Sequence, residues 1–227
     1  MERFFDIVFS LSALIILVPL LLPVACILKC TGEGEVFFSQ ERVGKSGKFF
    51  KLFKFATMAK NSPRIGTGTV TIKDDPRVLP IGKILRKTKV NELPQLFNIL
   101  MGQMSLIGPR PLTPETFSLY STTTQGVISG VRPGLSGIGS IIFRGEEEIM
   151  YGPAASVDFY NDVIAPYKGS LEEWFVSNKN LYIYFVAIFL TVWVVFFPKT
   201  TAPWVVLKDL PEPPQKLKLH LNFKQIE

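Results

Sequence analysis

The sequence predicts a mostly helical α+β protein with one small β-hairpin, attached to a membrane. Three observations carry that prediction. No charged residue interrupts the chain from Ile7 to Leu28, apolar residues recur at helical spacing after Glu92, and Gly44-Lys-Ser-Gly47 forms a turn within a basic stretch.

The first apolar run exceeds the roughly 20 residues that a helix needs to span a bilayer core of ~30 Å. Pro19 and Pro23 lie inside it. A helix that bends in the bilayer and returns uses such breaks, whereas a straight spanning helix tolerates them only with help. Asp6 suits a helix start near the head groups, because a carboxylate at membrane depth is expensive. The residues alone leave both forms open: spanning puts Met1 outside, and re-entry keeps both ends inside. Glu2 and Asp6 beside Arg3 and the length of the run argue against a signal peptide, and Pro23 sits badly for Val24-Ala25-Cys26 as a lipoprotein cleavage site.

Arg42, Lys45, Lys48, Lys51 and Lys54 follow at every third position, and positive flanks favour the cytoplasmic side. On a hairpin turning at Gly44–Gly47 they read mostly as a solvated face near lipid head groups. The net charge of +6 fits an anionic membrane surface and anionic substrates, and no nucleic-acid-binding pattern accompanies it.

Leu93, Leu96, Phe97 and Leu100 place an amphipathic helix after Glu92, with Asn91 as its expected N-cap and Pro94 in its first turn. Arg86 lies upstream, and Gly108-Pro109-Arg110-Pro111 forms a stiff turn downstream. Two guanidinium forks and a helix start suit a diphosphate, and Glu92 suits a divalent metal. Taken singly, each of these residues is equally a cap or a surface charge. His220 is the only histidine and the cysteines, Cys26 and Cys30, show no ligand pattern, which leaves carboxylates for the chemistry. Asp74 and Asp75 precede Pro76 in a turn; Asp75 is a candidate metal group, although a turn aspartate is commoner. Gly66-Thr-Gly68-Thr is too weak for a phosphate loop.

Arg144 with Glu146, Glu147 and Glu148 reads as a local ion-pair network. Asp158-Phe-Tyr-Asn-Asp162 and Pro166-Tyr-Lys168 suit either a sugar pocket or a surface helix. The second apolar run, Leu181–Phe197, carries aromatic residues throughout, which favours an interfacial helix over a spanning one. After it, prolines at 203, 211, 213 and 214 predict an extended tail.

Several runs together resemble a family signature. They are Arg3-Phe-Phe-Asp6, Phe37-Phe-Ser-Gln-Glu-Arg42-Val-Gly44, Lys54-Phe55-Ala-Thr-Met58, Asp75-Pro-Arg77, Gly82-Lys-Ile-Leu-Arg86-Lys-Thr, Asn91-Glu92-Leu-Pro-Gln95, Gly108-Pro-Arg-Pro111 and Pro133-Gly134-Leu-Ser-Gly137. In this order, from about Arg3 to about Pro198, they resemble the bacterial sugar transferases, monotopic phosphoglycosyl transferases that start lipid-linked glycan assembly. The resemblance implies a monotopic protein with a re-entrant N-terminal helix broken at Pro19 and interfacial helices. It implies residues 1–30 in the membrane, a cytoplasmic catalytic domain over 31–178, a membrane-associated helix over 179–198 and a tail over 199–227. The implied reaction moves a sugar 1-phosphate from a UDP-sugar to undecaprenyl phosphate, releasing UMP, with Mg2+ as cofactor, at the cytoplasmic face of a bacterial inner membrane.

The roles implied are Glu92 as metal ligand, Arg86 and Arg110 as phosphate holders, and Lys54, Gln95, Pro109 and Pro111 as further substrate contacts. Asn91 departs from the family's attacking Asp, and a neutral amide is a poor nucleophile. Glu92 attacking instead, direct attack by the acceptor phosphate, and an inactive form that serves as a scaffold are the explanations left open. Ala56, Gln103, Val18 and Tyr184 are lesser departures, each replacing a residue of different polarity or charge.

Overall fold

A computed structural model describes residues 1–62, 75–149 and 157–223. Asp74 and Gly66-Thr-Gly68-Thr lie outside the described residues, as do the side chains of Glu147 and Glu148. The chain is mostly helical, with a hairpin and one parallel strand pair.

Helix α1, Glu2–Cys30, runs without interruption through Pro19 and Pro23. Sequence reading expects a break at Pro19. The turns beside that proline are instead held by packing, since Leu17 and Leu21 rest against a core of Leu14, Phe50, Leu52, Leu96, Ile99 and Met104. At its far end Leu28 is buried with Phe55 and Leu85. At its near end Arg3 donates to the carbonyls of Ile99 and Leu100 at 2.6 and 2.9 Å, a cation at the C-terminus of another helix. Asp6, only 2% exposed, accepts from Ser105 Oγ, the Leu106 amide and Tyr184 Oη on one oxygen, each at 2.9 Å. Both ends of α1 are thus fixed to the same domain. Its other face leaves Phe4, Leu11, Ile15, Ile16 and Leu22 exposed.

Strands β1, Phe37–Val43, and β2, Phe49–Phe55, pair antiparallel around the turn at Lys45–Gly47. Helix α2, Pro80–Lys87, leads to a 3-10 turn, Val90–Glu92, and to α3, Gln95–Leu100. Asn98, fully buried, accepts from the Phe53 amide and donates to the Lys51 carbonyl and to Gln103, which joins α3 to β2. Strand β3, Ser105–Ile107, pairs parallel with β4, Gly134–Ser136. Short helices α4, Pro114–Ser118, and α5, Thr122–Ser129, lie between them, each started by a hydroxyl cap, Thr113 and Ser121.

Helices α6, Ile138–Ile142, and α7, Glu146–Ile149, follow; then α8, Val157–Phe159, passes through a π-helical turn at Tyr160–Ile164 into α9, Ala165–Asn178. Helix α10, Leu181–Phe196, begins at the Asn180 cap and buries Ile183, Tyr184, Ala187, Leu190 and Val194 on one face. Its 16 residues reach only about 24 Å, short of a bilayer core. Tyr182, Phe189, Trp193 and Phe196 are exposed on it, and Phe185 meets the Phe5 ring of α1 at 5.0 Å.

The tail is not an extended appendage. It contains α11, Ala202–Val206, and α12, Gln215–Lys218. Trp204, Leu207, Leu217 and Leu221 join the same core as α9 and α10. The prolines shape the connections, while the apolar residues between them supply the burial that holds the segment in place.

Candidate active site in a cation-lined cleft

Lys89 adopts a left-handed conformation (φ 61°), which turns the chain sharply out of α2 and into the 3-10 turn that carries Asn91 and Glu92. Asn91 therefore does not cap α3; Pro94 stands at that position and no side chain caps the helix. The entry is tightened into three-residue bonds, Glu92 N–H to the Lys89 carbonyl and Leu93 N–H to Val90. Asn91 is 5% exposed, and its Oδ1 has no hydrogen-bond partner.

Glu92 faces the hairpin, where Lys54 Nζ donates to its Oε1 at 3.0 Å. Strand alternation decides which basic residues reach this point. Phe38, Gln40 and Arg42 on β1 and Phe50, Leu52 and Lys54 on β2 share the inner face, while Lys45, Lys48 and Lys51 stay exposed. Arg42 and Lys54 thus belong to the site rather than to a solvated face. Arg42 donates to the Pro111 carbonyl at 3.1 Å and to Gln40 at 2.6 Å, and the Val43 amide bonds the Leu112 carbonyl. These contacts fasten the Gly-Pro-Arg-Pro turn to the hairpin.

The other side of that turn is fixed by the parallel strands. Gly108 N–H bonds the Ser136 carbonyl, and Gly134 N–H bonds the Pro109 carbonyl. A Cβ on Gly134 would stand 2.1 Å from the Gly108 nitrogen, so only glycine permits this approach. The result is a cleft whose lining includes Arg42, Lys54, Glu92, Gln95, Arg110 and Pro111.

Burial alone would raise the Glu92 carboxyl, yet Lys54, Arg110 and Lys89 outweigh it and hold the group well below the usual carboxylate range. Burial pulls Lys54 down to about 8 against the attraction of Glu92, and Arg110 and Arg42 lower it further. Arg42 is lowered by burial and by Arg110 but stays charged. Burial opposes the charge on Arg110, while Glu92, Glu146, Tyr160 and Glu172 sustain it and the net shift is upward. Three cations thus surround one ionised carboxylate, an arrangement that can accept a diphosphate.

The remaining expected residues are placed as follows. Gln95 is buried in the cleft wall, 2% exposed. Arg86 sits in the last turn of α2, and the cleft lining does not include it. Asp75 accepts from Arg77 Nε at 2.8 Å, from another Arg77 guanidinium nitrogen at 2.6 Å and from the Arg77 amide at 3.0 Å. Both Asp75 oxygens are therefore engaged in a buried ion pair, with which metal binding would compete. Among the described residues no three His, Cys, Asp or Glu side chains gather as a metal cage.

Glu172 escaped sequence reading. It is 2% exposed and accepts from the Arg110 amide at 3.3 Å, while its second oxygen has no partner. Burial lifts its carboxyl to about 7. Nothing in Leu171-Glu-Glu-Trp174 marks this glutamate over its neighbour, because the distinction lies in which side of α9 faces the turn.

Comparison with known proteins gives a consistent result. A family model described as bacterial sugar transferase matches residues 1–198. The exopolysaccharide production protein ExoY of Sinorhizobium fredii is 32% identical over 205 residues, covering 84% of this chain and 83% of that protein. The UDP-glucose:undecaprenyl-phosphate glucose-1-phosphate transferase of Klebsiella pneumoniae is 34% identical, covering 88% of this chain and 41% of its own. The undecaprenyl-phosphate galactose phosphotransferase of Salmonella typhimurium is 31% identical, covering 86% and 40% respectively. The chain thus spans less than half the length of these two transferases.

Proposed function

This chain belongs to the bacterial sugar transferase family, and from that membership we propose that it transfers a sugar 1-phosphate from a UDP-sugar to undecaprenyl phosphate, releasing UMP. The observation that carries the reading is the cleft in which Lys54, Arg42 and Arg110 surround the ionised Glu92. Lys54 and Arg110 bind the diphosphate and stabilise charge on the departing UMP. Arg42 acts through its charge and holds the Pro111 turn, since it already donates to Pro111 and Gln40.

Asn91 is a buried neutral amide, and Glu92 is clamped by Lys54; neither is an activated nucleophile. We therefore write the transfer as direct. An acceptor phosphate oxygen bonds to the sugar-bearing phosphorus, the bond from that phosphorus to the bridging oxygen breaks, and its electron pair leaves with UMP. Magnesium typically binds through one or two carboxylates plus substrate phosphates, and a cleft with one ionised carboxylate fits that mode. Glu92 would hold the ion, with Gln95 beside it, and the ion would offset diphosphate charge.

The membrane arrangement follows from α1. Its two ends are fixed to one domain while its outer face is apolar, which supports a helix held against the membrane with both ends on the same side. The exposed aromatic residues of α10 continue that surface. The cleft then lies where a soluble donor and a lipid phosphate can meet, on the cytoplasmic side that basic flanks favour. The test is transfer of radiolabel from the β-phosphate of a UDP-sugar into the undecaprenyl lipid fraction, with magnesium. Label in the lipid supports the reading, and label confined to water-soluble products refutes it.

A further inference from the structure

Behind Arg110 lies a second polar cluster that the diphosphate does not use. Lys168 Nζ, 5% exposed by side chain, donates to both oxygens of Glu146 at 2.8 Å. The same ammonium stands over the Phe143 ring at 5.2 Å and the Tyr160 ring at 5.8 Å. Four residues along α9, on the same face, Glu172 accepts the Arg110 amide. One helix turn of about 5.4 Å therefore links the Arg110 turn to Glu146 and Tyr160. Glu146, like Glu92, helps to sustain the Arg110 charge.

The cluster has the chemistry of a sugar site. Glu146 keeps 29% of its side chain exposed, and its oxygens retain lone pairs after meeting Lys168. Tyr160 is half-buried, with the Lys168 ammonium over its ring and apolar core residues packed beside it, so part of the ring remains for a ligand to meet. A hexose presents several hydroxyl donors on its rim and an apolar patch of C–H groups on its face, which a carboxylate and an aromatic ring meet respectively. A salt bridge that only fastened α7 to α9 would not require a partly exposed carboxylate within electrostatic reach of the phosphate-binding arginine.

We propose that Glu146 and Tyr160, oriented by Lys168, form the subsite for the sugar ring of the donor. The inference rests on the nucleotide-sugar reading above. Glu146 accepts from sugar hydroxyls, Tyr160 packs on the ring, and Arg110 lies at the junction with the diphosphate. This places donor selectivity on α7, the π-helical turn and α9, away from the motifs around Glu92.

Calorimetric binding of UDP and of UDP-glucose, UDP-galactose and UDP-N-acetylgalactosamine to the full chain in detergent tests it. The ratio of UDP-sugar to UDP affinity is compared in the unaltered chain, Glu146→Gln and Tyr160→Leu. The expected result is at least a tenfold fall in that ratio for the best-bound sugar; any change in UDP affinity from the altered surroundings of Arg110 is common to both ligands and cancels in the ratio. An unchanged ratio overturns the proposal, whether both affinities hold or both fall together. Should Glu146→Gln fail to fold because Lys168 is stranded, the Tyr160→Leu ratio decides. If the unaltered chain binds neither UDP nor any UDP-sugar, the donor reading itself fails.

Discussion

Lys54 gives the cleft a pH dependence that can be worked out in advance. Its ammonium is pulled down to about 8 by burial, with Glu92 resisting and Arg110 and Arg42 assisting. Diphosphate binding needs the protonated form. Lys54 is then about nine-tenths charged at pH 7 and about one-tenth charged at pH 9, so UDP affinity falls close to tenfold between them and tenfold per unit beyond. Stability moves the other way: the folded pKa lies below the unfolded value of 10.5, so between about pH 8 and 10.5 the folded state binds fewer protons and this lysine's contribution rises with pH. Loss of affinity above pH 8 therefore does not arise from any destabilisation by this lysine. Glu92→Gln removes the charge that supports Lys54 and shifts the inflection to lower pH, and Lys54→Met abolishes it while weakening binding at pH 7 by tenfold or more. UDP titrations from pH 6.5 to 9.5 read all three. A flat profile in the unaltered chain, or a retained inflection in Lys54→Met, refutes the reasoning.

Asp6→Ala strands two hydroxyls and the Leu106 amide; the hydroxyls can rotate, so the expected loss is about 2–5 kcal/mol, read by denaturant unfolding against a smaller loss for Asp6→Asn. Gly134→Ala drives a methyl into the Gly108 backbone, and we expect a destabilisation above ~2 kcal/mol with reduced UDP affinity as the Arg110 turn shifts. Truncation after residue 198 removes Trp204, Leu207, Leu217 and Leu221 from the core; at roughly 1.5–3 kcal/mol per buried side chain, the shortened chain melts well below the full one in a thermal scan.

What the sequence revealed was mainly what local chemistry controls. Gly44 and Gly47 marked the hairpin, and the spacing of Leu93, Leu96, Phe97 and Leu100 marked the helix, because turns and amphipathic faces depend on neighbours along the chain; Phe97 is nevertheless 50% exposed, and Ile99 is buried on that face instead. The start of α3 was misplaced because Lys89, at positive φ, and Pro94 together favour a 3-10 entry. Counting basic residues in threes concealed Arg42, since a strand sorts its side chains in twos, and Lys54 was named only through the family resemblance. The tail was misread because prolines argue against long elements but not against packing of the residues between them. Glu172, and the approach of Glu146 to Arg110, depend on contacts between distant segments and left no local mark.

UMP release from a panel of UDP-sugars with undecaprenyl phosphate and magnesium, comparing the unaltered chain with Asn91→Asp and Glu92→Gln, tests the central claim most directly. The account predicts release by the unaltered chain, loss in Glu92→Gln, and no phosphosugar adduct on the unaltered protein by mass spectrometry of quenched reactions. Release confined to Asn91→Asp, with an adduct forming only there, would contradict direct transfer and leave this chain without the proposed activity.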